Sequence, residues 1–243
     1  MTTRSQVKGR VGLHRNQWHQ YAWGSSAWQP GVTTILRVQD AIGGSDGLIR
    51  WATKLAAEAA FNVRPESALF DDALQAAVSA VDGARDRGTR VHAGWDAAVR
   101  GEPYTPSPED GRMFYHLMRW VVQDKPEIIA TEQMVINLTA GYGGTFDIDA
   151  IVDGKRSLID LKTGKPKPEH ALQLAAYAAG EWIGAEDDPE KHPLPPFEAF
   201  YVLALSDEGY ELLPLTVGQT EKDHFIYLAE TYKKLKTWAK EAA

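Results

Sequence analysis

The clearest pattern in the chain lies between residues 126 and 163, where apolar positions alternate: Ile136 and Leu138, then Phe146, Ile148, Ala150 and Val152, then Ile159 and Leu161. A period of two is the signature of strands with one face in a core. Gly141, Gly143 and Gly144 interrupt the run, and Asp153-Gly154 divides it. Upstream the spacing is helical. Leu48, Trp51, Leu55 and Ala59 follow a cap at Asp46, and Leu69, Leu74, Val78 and Val81 mark a second helix over 67–86. Gly88 is expected to interrupt that helix, with Thr89 capping another that carries Val91, His92, Trp95 and Val99. Ser107 and Pro108 open a helix over 108–123. Ahead of all these, 17–23 and 28–36 read as short strands around Gly24-Ser25-Ser26. Downstream, a helix over 168–184 precedes strands over 198–205 and 210–215. A final amphipathic helix carries Phe225, Leu228, Tyr232 and Leu235 on one stripe.

Helices flanking a mixed sheet predict an α/β (α+β) fold in a single domain. Its expected parts are a hairpin and helical segment over 1–125, a sheet core over 126–215 and a C-terminal helix over 216–243. No internal repeat is present. Residues 187–197 hold four of the thirteen prolines and read as a surface loop. At 243 residues, 44% hydrophobic and 24% charged, the chain has the composition of a globular protein with a core of its own. It contains no cysteine, which excludes disulfides, a thiolate nucleophile, Cys-ligated zinc and a Cys-held iron–sulfur cluster. No apolar run approaches the ~20 residues of a membrane span. The N-terminus lacks a signal-type apolar segment, so a soluble intracellular protein is expected.

The net charge of −7 argues mildly against a nucleic-acid binder, but the charge is uneven. Residues 1–39 carry Arg4, Lys8, Arg10, Arg15 and Arg37 and no acid, interleaved with Trp18, Tyr21, Trp23 and Trp28. Such a mixture suits phosphate contact and base stacking, or equally a hairpin whose aromatics pack on the core. Arg4, Lys8, Arg10 and Arg15 are therefore candidate DNA contacts.

The most informative stretch is GTFDIDAIVDGKRSLIDLKT, residues 144–163. Strand periodicity puts Asp147, Asp149, Ile151 and Asp153 on one face, and Phe146, Ile148, Ala150 and Val152 on the other. Asp153-Gly154 is a strong signal for a two-residue type I′ hairpin turn. That turn pairs Val152 with Lys155, places Asp147 opposite Asp160, and Thr145 opposite Lys162. A Gly154-Lys155 turn would instead place Asp149 opposite Asp160, so the turn alone separates the two aspartates. Directly opposed carboxylates repel. A divalent cation such as Mg²⁺ or Mn²⁺ resolves that conflict, and can activate a water and polarise a phosphoryl oxygen. Lys162, on the same face as Asp160, can orient or deprotonate a water or neutralise developing charge.

Further candidates lie outside the hairpin. Gln173 and Tyr177 are four apart and adjoin on a helix face. His92 can supply a neutral imidazole to a metal. Glu132, in the strand before the glycine cluster, can reach the metal shell through water.

Together these residues resemble the PD-(D/E)XK nuclease superfamily, and within it the RecB-like branch of phage recombination exonucleases and CRISPR-associated exonucleases. Pro30 through Leu36 is similar to the opening segment of phage members. Arg87-Gly88-Thr89 through His92 resembles the motif that supplies a metal-binding histidine. Gly144-Thr145-Phe146-Asp147 resembles the first acidic motif, Asp160-Leu161-Lys162 the (D/E)-x-K motif, and Gln173 through Tyr177 the Q-x-x-x-Y signature. The likeness spans residues 30–177. It implies a restriction-endonuclease-like mixed sheet, a divalent metal and phosphodiester hydrolysis. His92, Asp147, Asp160 and the main-chain carbonyl of Leu161 would hold the metal; Glu132 and Asp149, outside that implied set, are candidate accessory acids. Lys162 would be catalytic, and Gln173 and Tyr177 would position DNA or support the site. Two departures stand out. The four cysteines that hold an iron–sulfur cluster in the CRISPR-associated relatives are missing, which favours a phage-type or stand-alone enzyme. Asp160 stands where many relatives carry Glu.

The expected function is a metal-dependent deoxyribonuclease acting on single strands or duplex ends. An exonuclease in recombination, repair or phage DNA processing is favoured, in the cytoplasm of a bacterium or of a phage host. A recombination or annealing protein is the expected partner type, no membrane is involved, and the sequence leaves oligomeric state open. The rivals are a structure-specific endonuclease, an inert nucleic-acid-binding module on the same fold, and a sugar hydrolase using two carboxylates. In the last, Lys162, Gln173 and Tyr177 have no evident role.

Overall fold

The computed structural model describes residues 10–39 and 69–241. The helix expected around Leu48, Trp51, Leu55 and Ala59 lies outside the described residues, as do Arg4 and Lys8. A small antiparallel ribbon, β1 (Leu13–Arg15) and β2 (Tyr21–Trp23), comes first. The helices α1 (Val32–Gln39), α2 (Leu69–Val99) and α3 (Gly111–Asp124) follow. The main sheet then begins with β3 (Glu127–Asn137), β4 (Tyr142–Val152) and β5 (Lys155–Lys162). After α4 (Glu169–Ala178) come β6 (Trp182–Gly184), β7 (His192–Pro193), β8 (Ala199–Leu205) and β9 (Tyr210–Pro214), and α5 (Gln219–Glu241) closes the described chain.

Seven strands join in the order β7-β6-β3-β4-β5-β8-β9. β5 and β8 run parallel and the other strand pairs antiparallel. A parallel pair needs a crossover, and α4 with β6 and β7 supplies it. Helices cover both faces. On one, Val91 and Trp95 of α2 and Leu117 and Trp120 of α3 pack on Ile148, Ile159 and Leu203. On the other, Ile35, Leu174, Tyr177 and Phe225 pack on Val135, Phe146 and Leu158. This is the restriction-endonuclease-like mixed α/β core that was expected.

Four local expectations fail, each for a physical reason. Residues 28–36 do not form a strand. Only the bridges Tyr21↔Gln29 and Gly31↔Gly143 remain of it, and α1 starts at Val32. The β-branched run suits a strand locally, but Val32, Ile35 and Val38 fall at helical spacing and are buried, so packing overrides propensity. Gly88 does not interrupt a helix: α2 runs from Leu69 to Val99. One glycine costs only about 1 kcal/mol against alanine, less than the burial of Val91 and Trp95 returns. The helix expected over 168–184 stops at Ala178. At Gly180 a Cβ would lie 2.1 Å from Val135, so the chain turns there and Trp182–Gly184 pairs with β3. Finally, Gly143 and Gly144 lie inside β4 rather than breaking it. A Cβ at Gly143 would sit 2.4 Å from Tyr21, and one at Gly144 2.4 Å from the Tyr177 ring. Two tyrosines approach the strand that closely only because glycine stands there.

Candidate metal centre

The turn that sets the site is the expected one. Asp153 and Gly154 both have positive φ, 51° and 74°, as a type I′ turn requires. Val152 pairs with Lys155, Asp149 with Leu158 and Ile148 with Ile159. The ladder ends there. Asp147 and Asp160 do not form the next ladder pair, nor Thr145 and Lys162. Instead the Leu161 backbone N–H donates to Asp147 Oδ2 at 2.7 Å, so a carboxylate replaces the backbone acceptor where the strands part. The face alternation also breaks at this point. Phe146 joins the cluster under α1, α4 and α5, while Ile148 and Ala150 join the one under α2 and α3, so Phe146 does not share their face. On β3, the neighbouring irregularity is Glu132, at φ 47° between the pairs Thr131↔Ile148 and Gln133↔Phe146. A non-glycine residue held there costs on the order of 1–3 kcal/mol, and such strain tends to gather at functional sites.

These distortions bring three groups from three elements together. His92 of α2, Glu132 of β3 and Asp147 of β4 place ligand atoms within 4.8 Å of one another. His92 Nδ1 lies 3.4 Å from Glu132 Oε1 and 3.6 Å from Asp147 Oδ1. On the other side of the ring, Nε2 lies 2.9 Å from the carbonyl oxygen of Leu161. Burial alone would lower the His92 pKa, but the Asp147 and Glu132 carboxylates outweigh it and hold it at about 9. A buried carboxylate, a half-buried one and a half-buried imidazole form a group able to hold a metal ion.

Asp160 is 1% exposed. Its Oδ1 accepts from Lys162 Nζ at 2.7 Å, while its Oδ2 is buried with no hydrogen-bond partner. Burial pushes the Asp160 carboxyl upward, the Asp147 charge adds to this, and Lys162 offsets only part. Asp160 Oδ2 is thus a buried acceptor left without a donor while a second carboxylate acts on it, a conflict that a bound cation would relieve. Burial alone would lower the Lys162 pKa, but Asp160 and Asp147 keep it raised, so the ammonium is charged.

Asp149 is used differently. It is 2% exposed and held bidentately by Arg156, with Nε 3.1 Å from Oδ1 and Nη2 2.5 Å from Oδ2. Gln173 Nε2 donates to the Tyr177 hydroxyl at 3.1 Å. Tyr177 is 4% exposed, and burial raises its pKa well above the ordinary value. It lies under Gly144, supporting the strand that carries Asp147. A cleft of about 950 Å³ opens beside the centre, lined by Arg15, His92, Glu132, Thr145 and Lys162. Of the basic candidates, Arg15 reaches it, whereas Arg10 stacks over Trp28 at 4.1 Å.

Three contributors went unrecognised in the sequence. His170 is buried near Asp160, its Nδ1 accepting from the Lys167 N–H at 3.2 Å, and burial lowers its pKa. Arg156 neutralises Asp149, a partnership its position beside the turn could have disclosed. Thr145 anchors the N-terminal ribbon, accepting or donating at 3.0 Å with the Tyr21 hydroxyl.

Comparison with known proteins adds little beyond this geometry. No protein-family model matches the chain, and no curated protein matches it. Solved structures give low-scoring likenesses. SSO0001 aligns at TM-score 0.33 and 17% identity over 52% of this chain; the match spans 59% of that protein, under two thirds of its length. An alkaline exonuclease (LHK-Exo) from Laribacter hongkongensis aligns at TM-score 0.31 and 15% identity, covering 79% of this chain and 98% of the other. The same exonuclease in complex with dAMP aligns at TM-score 0.30 and 17% identity over the same shares, 79% and 98%.

Proposed function

We propose that this chain is a divalent-metal-dependent deoxyribonuclease of the RecB-like PD-(D/E)XK kind, working as an exonuclease with Mg²⁺ or Mn²⁺. The observation that carries this reading is the convergence of His92, Glu132 and Asp147 beside the orphaned Oδ2 of Asp160, with the charged Lys162 on the same cleft. His92, Asp147, Asp160 and the Leu161 carbonyl would hold the ion, with Glu132 beside them. The bound ion supplies an activated water and a polarised phosphoryl oxygen.

The chain's own residues do the rest. Asp147 keeps Oδ1 turned toward His92 because Oδ2 is tied to the Leu161 N–H. Asp160 holds the Lys162 ammonium at the cleft, where it neutralises charge on the scissile phosphate. A group kept protonated in this way is a donor and charge partner rather than a base. Tyr177 and Gln173 fix the strand beneath the centre rather than line the cleft. Phosphodiester hydrolysis joins a water oxygen to phosphorus and breaks one bond from phosphorus to a deoxyribose oxygen, which takes a proton.

DNA, as single strands or duplex ends, is the substrate in this reading. A role in recombination, repair or phage DNA processing, with an annealing-type partner, goes with it. No helix among the described residues is long and apolar enough to cross a membrane. The test is incubation with end-labelled linear and closed circular DNA, single- and double-stranded, with Mg²⁺, Mn²⁺ or EDTA. Degradation of linear forms alone supports the exonuclease, cut circles an endonuclease, and no cleavage with any metal an inert binding module.

A further inference from the structure

The ribbon β1–β2 stands at the rim of the cleft and is fastened there. The Tyr21 hydroxyl meets Thr145 Oγ1 at 3.0 Å, and Tyr21 packs against Gly143. Thr145 lies two positions before Asp147 on β4, so the ribbon is attached to the strand that carries the metal centre. Arg15, the last residue of β1, is exposed; Nη1 lies 3.5 Å from Thr145 Oγ1, and among the described residues no carboxylate pairs with it. The turn between the two strands is built tightly. Asn16 Oδ1 accepts from the backbone N–H groups of Trp18 and Gln20, both at 3.0 Å, and Asn16 Nδ2 donates to Gln20 Oε1 at 2.9 Å. On this braced turn Trp18 leaves 69% of its surface in water, while Trp95 and Trp120 are buried.

A solvated indole on a fixed turn, three residues from an exposed guanidinium with no ion-paired carboxylate among the described residues, at the mouth of a cleft, is a stacking platform with a phosphate partner. Bases in a duplex already stack on each other; an unpaired base has a free face. Resting on the nuclease reading, we propose that Trp18 and Arg15 bind an unpaired nucleotide next to the scissile phosphate, the base on Trp18 and its phosphate on Arg15. The ribbon thereby selects single strands or frayed ends. The three acids lining the cleft each have a cationic or polar neighbour: Asp96 is engaged by Arg100 and Thr131, Glu132 faces His92 at 3.4 Å, and Glu186 lies 3.8 Å from His14. Bracing of the turn lowers the entropy lost when the base docks.

The test is fluorescence anisotropy of labelled oligothymidylate and of a blunt duplex, with the full chain in EDTA so that nothing is cut. Trp18→Ala is expected to weaken oligothymidylate binding about tenfold, within the range of one lost base stack, with Trp18→Phe staying within about threefold of wild type. Binding of the blunt duplex should not change. Arg15→Gln should flatten the salt slope on the single strand by about 0.7. Trp238→Ala, which removes another exposed indole (61% exposed) on α5, should leave binding unchanged. If Trp18→Ala binds oligothymidylate like wild type while the wild type still cleaves DNA with metal, the ribbon proposal fails and the nuclease reading stands. A wild-type chain that neither binds oligothymidylate nor cleaves DNA overturns both.

Discussion

Asp147 and Asp149 lie on the same strand, two positions apart, and have different partners: Asp147 faces His92 and the Leu161 N–H, Asp149 faces Arg156. Asp149 is buried against Arg156, whose side chain is 22% exposed. Breaking a buried pair by removing one charge costs about 3–5 kcal/mol. Arg156 keeps some contact with water, and an asparagine oxygen can still accept one of its hydrogen bonds, so Asp149→Asn is expected to cost nearer ~2 kcal/mol. For a chain of this size that lowers Tm by roughly 4–8 °C. The same variant should keep at least a tenth of the cleavage rate, a loss of no more than about 1.4 kcal/mol in the transition state. Asp147→Asn should do the reverse. Its side-chain oxygen still accepts from the Leu161 N–H, and relief of repulsion with Glu132 and Asp160 offsets the lost attraction to His92 and Lys162, so Tm should move by only about 2 °C. Mn²⁺ binding and cleavage should both be lost. The assay is single-turnover cleavage of end-labelled DNA at saturating Mn²⁺, with thermal unfolding of each variant in EDTA. An inactive Asp149→Asn beside an active Asp147→Asn would refute the assignment, whatever their stabilities.

Lys162→Ala should leave Mn²⁺ binding largely intact by calorimetry while removing most cleavage; loss of metal binding together with the fold would contradict its role. In the metal-free protein His92 is held at about 9 against an ordinary 6.5, so its stabilising contribution is complete below pH ~6.5 and is lost as pH rises through about 9. Because a metal expels that proton, Mn²⁺ affinity should rise over the same interval, and His92→Gln should flatten both pH profiles. Gly144→Ala forces a methyl to 2.4 Å from the Tyr177 ring and 3.2 Å from Val32, which should cost about 1–3 kcal/mol and be read as a lower Tm with reduced cleavage.

The hairpin was legible because its turn is local. Asp153-Gly154 fits the two positive φ values whatever lies around it, and the register of the strands follows. The strand–strand–strand–helix order was legible for the same reason, since period two and period 3.6 survive in a single sequence. What could not be read is where periodicity is broken on purpose. Positive φ at Glu132 and the switch of face between Phe146 and Ile148 depend on contacts between strands, so ladder logic placed Asp147 opposite Asp160 when the strands in fact part there. Gly143 and Gly144 looked like punctuation because Tyr21 and Tyr177, which need their missing side chains, are distant in sequence. His170 carried no signal at all. Its burial near Asp160 comes from the way α4 packs on the sheet.

The proposed metal-dependent phosphodiesterase centre of His92, Asp147, Asp160 and their neighbours stands or falls on cleavage driven by added metal. Its most direct test is the time course of end-labelled linear DNA with the purified wild-type chain and with Asp147→Asn, titrated with Mn²⁺ after full removal of metal by EDTA and dialysis. Wild-type cleavage should be absent without metal and rise saturably with Mn²⁺, in step with binding seen by calorimetry, while Asp147→Asn stays inactive at every concentration. Cleavage that persists in EDTA, or that Asp147→Asn retains in full, would contradict it.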